Sequence, residues 1–268
     1  MMLTYERLSG VVSLTLIGLS LYFVLNFPGQ VTTFDLLGSP LTLDAPRRWL
    51  MVVLLGGLVM AGTDAVIRTH PLLSVRNLNY LATFWVLPGL LVVLATQTLG
   101  LAPSPVIWAM GLISVGIILW LTIMAEFLQV THKIDPGFWP RVWQQLVGYG
   151  IALLFFIIIY QSRSRSLVSA TGVMLVGGVT ALSLLRLAPQ QIDKTWLYAA
   201  IIALSLGEIT WALNYWRIHA LNAGLLLFLV FYIAVGLAQQ QLLGRLSRRT
   251  LIEFGAIGLI ALAVILNL

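Results

Sequence analysis

Few residues of this chain could do chemistry, and one of them lies deep in an apolar run: Glu208, in LYAAIIALSLGEITWALNY (197–215). Lys194 precedes it by 14 residues and Arg217 follows it by nine. Those separations are about 21 Å and 14 Å of helix. The carboxyl therefore falls inside a hydrocarbon layer ~30 Å thick, nearer the Arg217 end. A charge is costly there, so such a group is protonated, or partnered by other helices or trapped water. On a helix, Trp211, Ala212 and Tyr215 share its face at i+3, i+4 and i+7, and Gly207, Thr210 and Asn214 flank it. A carboxyl beside Thr210, Trp211, Asn214 and Tyr215 has the make-up of a proton relay or of a seat for a cationic or hydroxylated ligand. It equally suits a neutral glutamic acid hydrogen-bonded to a neighbouring helix, with Gly207 permitting close approach. Both roles expect Glu208 to face inward.

Two further carboxylates are secondary candidates. Asp64 precedes Arg68 by four residues, the spacing of an ion pair along one helix face, with the arginine stem reaching outward. Glu126 lies seven residues before Lys133, also close to a membrane interface. A structural role is expected for both. Were the second, fourth and seventh helices adjacent, Asp64, Glu126 and Glu208 would mark points along a path. His70, His132 and His219 all lie at span ends, without the HExxH spacing of a zinc site or a pair of ligands suited to haem. No metal and no cofactor is expected. With no cysteine there is no disulfide, thiolate catalysis or iron–sulfur ligation. Lys133 and Lys194, the two lysines, lie outside the apolar runs, which argues against a retinal-type Schiff base. Neither a GxSxG elbow nor a P-loop is present. The paired glycines at 56–57 and 177–178 read as close helix contacts.

The elements that must position these residues follow from composition. The chain of 268 residues is 60% hydrophobic and 9% charged, against about 25% charged in soluble domains. The expected fold is all-α: a polytopic helical integral membrane protein with eight or nine transmembrane helices and no large soluble domain. The spans are expected at about 8–26, 49–67, 80–97, 106–128, 142–160, 167–185, 195–215, 221–239 and 251–268. The first is too long for a signal-peptide core and lacks a nearby small-residue cleavage site, so it is expected to be retained. Pro88 is expected to kink the third, Trp139 and Trp143 suit the headgroup layer, and the last span has no outer anchor. In the longest loop, VTTFDLLGSPLTLDAPRR (31–48), β-favouring residues on either side of Gly38–Ser39–Pro40 suggest a small hairpin or an interfacial segment.

The basic excess sits at helix ends rather than in a block interleaved with aromatics, which argues against nucleic-acid binding. Ten of the 15 Lys and Arg fall on the side of the N-terminus: Arg7, Arg68, Arg76, Lys133, Arg141, Arg186, Lys194, Arg245, Arg248 and Arg249. The other five are Arg47, Arg48, Arg163, Arg165 and Arg217. The bias predicts a cytoplasmic N-terminus and, with nine spans, a C-terminus outside. The cluster from Arg245 to Arg249 is placed to meet anionic lipid. Few lysines, short loops and no cysteine fit a bacterial inner membrane. VVLLGGLVMAGTDAVIR (52–68) resembles VMLVGGVTALSLLR (173–186), which suggests a four-helix parallel repeat, 49–160 against 167–268.

Three function classes fit. The first is a small proton-linked transporter or permease using Glu208, which calls for a cavity reaching that residue. The second is a non-catalytic membrane subunit or scaffold, assembling with a membrane-protein partner or as a homo-oligomer through an exposed apolar or small-residue face. The third, an intramembrane lipid-modifying enzyme, needs convergent acid and base groups, and these are sparse. The bilayer is the one partner that composition itself names.

Overall fold

Long apolar segments with no water for their backbone must satisfy every N–H and C=O internally, which in a single segment only a helix does. The computed structural model describes residues 2–25, 31–36, 39–44, 46–70, 78–130, 137–162, 166–186, 192–216 and 218–267. Among them are nine helices long and apolar enough to cross a membrane, and the chain is a polytopic helical membrane protein. In order they are α1 (Met2–Val24), α2 (Pro46–Ile67), α3 (Leu78–Leu99), α4 (Pro105–Gln129), α5 (Phe138–Gln161), α6 (Ser166–Leu185), α7 (Ile192–Asn214), α8 (Ala220–Leu242) and α9 (Arg248–Asn267). Each coincides with an expected span. Most ends run a few residues further, because helical hydrogen bonding continues into polar flanks that hydropathy scores as loop; α1 begins at Met2 rather than Leu8. Between α1 and α2, β1 (Val31–Leu36) and β2 (Ser39–Asp44) pair antiparallel, with Val31 opposite Asp44 and Leu36 opposite Ser39.

Local chemistry sets several boundaries. Ser104 precedes α4 in extended conformation, its Oγ accepting from the Ile107 N–H at 3.3 Å, and Pro105 follows at the first helical position. α8 ends in a Schellman turn: the Arg245 N–H donates to Gln240 O at 2.9 Å and the Gly244 N–H to Gln241 O at 3.0 Å. Gly244 has φ +66°, a left-handed value that glycine takes without the Cβ clash other residues meet. α3 runs as a helix through Pro88.

The chain forms two compact units. The first holds residues 1–74 and 88–130, the second residues 75–87 and 131–268. In the first, α1 packs on α2 and α4, and α2 also meets α4. Small residues permit these approaches: a methyl added at Gly116 would meet Leu16 Cδ1 at 2.9 Å, and one at Gly62 would meet Val11 Cγ2 at 2.8 Å. In the second, α6 and α7 form the most extensive pair, and α5 packs on both α6 and α8. Phe156, Phe231, Leu206, Leu227, Val173 and Leu184 lie in its core, with Phe156 edge-on to Phe231 at 5.7 Å. The fifth span, placed in the first half of the expected repeat, belongs to this second unit with α6–α9. α9 rests on α8 alone among the closely packed pairs, and Ile265 is its one buried residue.

Candidate functional site

α7 positions the residues singled out from sequence, and it sends them in two directions. Its inward face carries Thr210, fully buried, whose hydroxyl donates to Leu206 O at 2.6 Å. One turn on, Asn214 Nδ2 donates to Ser169 Oγ of α6 at 2.9 Å, and Leu213 O accepts from the Tyr160 hydroxyl of α5 at 2.8 Å. Gly207 is buried against Met174, and a methyl added at Gly178 would meet Ala203 Cβ at 2.7 Å. The paired glycines of α6 therefore allow close packing. Of the other pair, Gly57 is exposed with open space around it.

Glu208 points the other way. Its side chain is exposed on the outer face of α7, which corrects the expectation that it faces other helices or trapped water. Trp211 is 49% exposed and Tyr215 80%. The Trp211 indole N–H donates to the Tyr215 hydroxyl at 3.3 Å, so these two aromatics partner each other along the surface. The expected strip thus divides: Glu208, Trp211 and Tyr215 line the outside, while Thr210 is buried and Asn214 ties α7 to α6. Upstream on the outer face, Leu197, Ile201 and Leu204 are each about half exposed or more, at 59%, 49% and 58%. Leu197, Ile201, Leu204, Glu208, Trp211 and Tyr215 follow one another at spacings of 4, 3, 4, 3 and 4. They therefore form one continuous stripe along a single helix face.

Glu126 has the reverse history. Expected near an interface, it is fully buried on α4, on a face shared with Leu119, Thr122, Ile123 and Gln129. Glu126 and Asp64 belong to the first unit and Glu208 to the second. Arg68 Nε donates to Asp64 Oδ2 at 2.6 Å, the i,i+4 pair that the spacing suggested. Just beyond, His70 meets the Phe127 ring edge-on at 4.8 Å, bringing the end of α2 level with the end of α4. Partial burial lowers the His70 pKa below its ordinary 6.5, because desolvation disfavours the imidazolium. His219 is exposed just before α8. His132, Arg76, Lys133, Arg163, Arg165 and Arg217 lie outside the described residues.

Two polar residues escaped the sequence reading. Arg186, counted from the sequence among the basic residues on the side of the N-terminus, is only 8% exposed, and its guanidinium stacks over the Phe84 ring at 3.7 Å. Gln144 is buried on α5, one turn before Gly148, where an added methyl would meet Leu184 of α6. Both stand at span ends, where sequence alone does not separate a headgroup anchor from a buried side chain. Among the described residues, no three His, Asp or Glu side chains gather closely enough to hold a metal ion.

No curated protein and no solved structure matches the chain. Residues 27–268 match the family DUF5656, described as a protein of unknown function, and the chain belongs to that family.

Proposed function

For this member of DUF5656 we propose a non-catalytic role: it is a membrane subunit that assembles with another membrane protein through the outer face of α7. One observation carries the reading. Glu208 is exposed at a depth where, in an isolated chain, its carboxyl would stand in hydrocarbon. An outward carboxyl there is costly alone and favourable against a hydrogen-bonding partner. Proton-linked transport through Glu208 calls for an enclosed route, which an outer face does not offer. If the protein moves protons, Glu126 is the better carrier, because it is buried within α4.

The test is electrophoretic size. Wild-type chain, gently extracted from its membrane, is expected to migrate as a complex heavier than one 29.5 kDa chain. Glu208→Leu, which leaves the outer face apolar and lipid-compatible, is expected to release the single chain. Migration unchanged by Glu208→Leu overturns the assembly role of this face.

A further inference from the structure

Resting on that assembly reading, we infer that the partner is a second copy of this chain, joined along α7 in parallel about a two-fold axis normal to the membrane, with the two Glu208 side chains facing each other. The observation behind it is the uninterrupted seam Leu197–Ile201–Leu204–Glu208–Trp211–Tyr215, every member of which is exposed. Lipid contact asks only that a helix surface be apolar. It does not ask for a polar residue on the surface, whereas a lone polar residue in an apolar stripe is a device by which paired helices fix their register.

Two copies inserted the same way in one membrane present α7 in parallel, so a two-fold axis sets each seam residue against its own counterpart at equal depth. The aliphatic part, Leu197 to Leu204, closes on itself as an apolar seam. Glu208 then meets the one group that symmetry guarantees at its level, another Glu208. A protonated carboxyl is self-complementary about a two-fold axis: each copy donates through its O–H and accepts through its carbonyl oxygen. A foreign partner would need a basic or amide residue at the same depth on a seam of its own. Trp211 and Tyr215, already bonded to each other, extend the contact toward the end of the helix where amphipathic rings are favoured.

The native chain holds no cysteine, so single-cysteine variants read contact directly. Leu197→Cys, Ile201→Cys, Leu204→Cys, Trp211→Cys and Tyr215→Cys are oxidised in intact membranes, with Leu175→Cys, exposed on α6, as control. Seam variants are expected to give a covalent dimer at about tenfold the control yield, since a disulfide needs Cα atoms within roughly 7 Å. Glu208→Leu added to a seam variant is expected to weaken dimerisation roughly three- to thirtyfold, the worth of one interhelical hydrogen bond in a bilayer. If no seam position crosslinks while Glu208→Leu still releases the single chain, the face assembles with a different protein and the two-fold pair is wrong. If crosslinks form equally at the control position, the seam is wrong. If neither crosslinks nor a Glu208-dependent complex appear, the pair and the assembly reading fall together.

Discussion

A single carboxyl in a membrane helix is decided by the direction in which it points. Glu208 and Glu126 both interrupt apolar helices, and the structure gives them opposite surroundings, one outward and one fully buried. The sequence separated them by depth but not by direction. In water, an amphipathic helix shows its buried face by its polar one. In a bilayer both faces are apolar, so the face that meets lipid looks like the face that meets protein. What spacing did make legible was local: the Asp64–Arg68 pair needs only the 3.6-residue turn. His70 sets a residue-scale expectation. Burial lowers its pKa, so the unfolded chain binds its proton more readily. Its contribution to stability is complete above the ordinary pKa of 6.5 and is lost as pH falls through 6.5 toward the lowered value. Replacement by phenylalanine preserves an aromatic contact with Phe127 and removes the titration. Thermal melts in lipid discs between pH 5 and 8 are expected to show wild type losing stability on the acid side and His70→Phe losing less; equal losses would remove His70 from the account.

At the scale of helices, hydropathy located all nine because length and apolarity are what a bilayer selects. The hairpin was also legible, from β-favouring residues around a turn sequence. Which helices touch was not, because pairing depends on small residues whose neighbours lie far away in the chain. Gly224 on α8 and Gly57 on α2 are alike in sequence, each a glycine inside an apolar helix, and opposite in surroundings. A methyl at Gly224 would meet the Ile157 backbone, with Cα at 2.9 Å and N at 3.1 Å, whereas one at Gly57 would meet nothing within 4 Å. Gly224→Ala is therefore expected to destabilise the α5–α8 pair by about 1–3 kcal/mol. Gly57→Ala is expected to stabilise by about 0.5–1 kcal/mol, through the backbone freedom that a helical glycine gives up. Melting temperatures of the two variants check the pair of signs, and a shared sign would mean that these clearances are wrong.

For the molecule as a whole, the distribution of basic residues predicts an orientation that one reagent can test. The expected arrangement keeps the N-terminus and the α8–α9 turn in the cytoplasm, with the α3–α4 turn outside. Ser247→Cys and Ser104→Cys, in an otherwise cysteine-free chain, place a thiol in each turn. A maleimide that does not cross membranes is expected to label Ser104→Cys in intact cells and Ser247→Cys only after lysis; the reverse order would invert the topology.

α9 brings a different kind of dependence. It is a 20-residue helix held along one side by α8, with almost all of its surface turned away from the rest of the chain. Gly236 of α8 lies close against its Phe254, and Asn222 Nδ2 donates to Ile265 O at 3.2 Å near its other end. At 1.5 Å per residue it is about 30 Å long, close to one hydrocarbon thickness, with little length to spare. Helices locked in a bundle take their tilt from their neighbours, and one gripped along a single edge takes much of its tilt from hydrophobic mismatch. Acyl-chain length is therefore expected to act on this helix as an adjustable mechanical load, a thinner bilayer leaning it over and a thicker one drawing it upright, with α8 as the fulcrum.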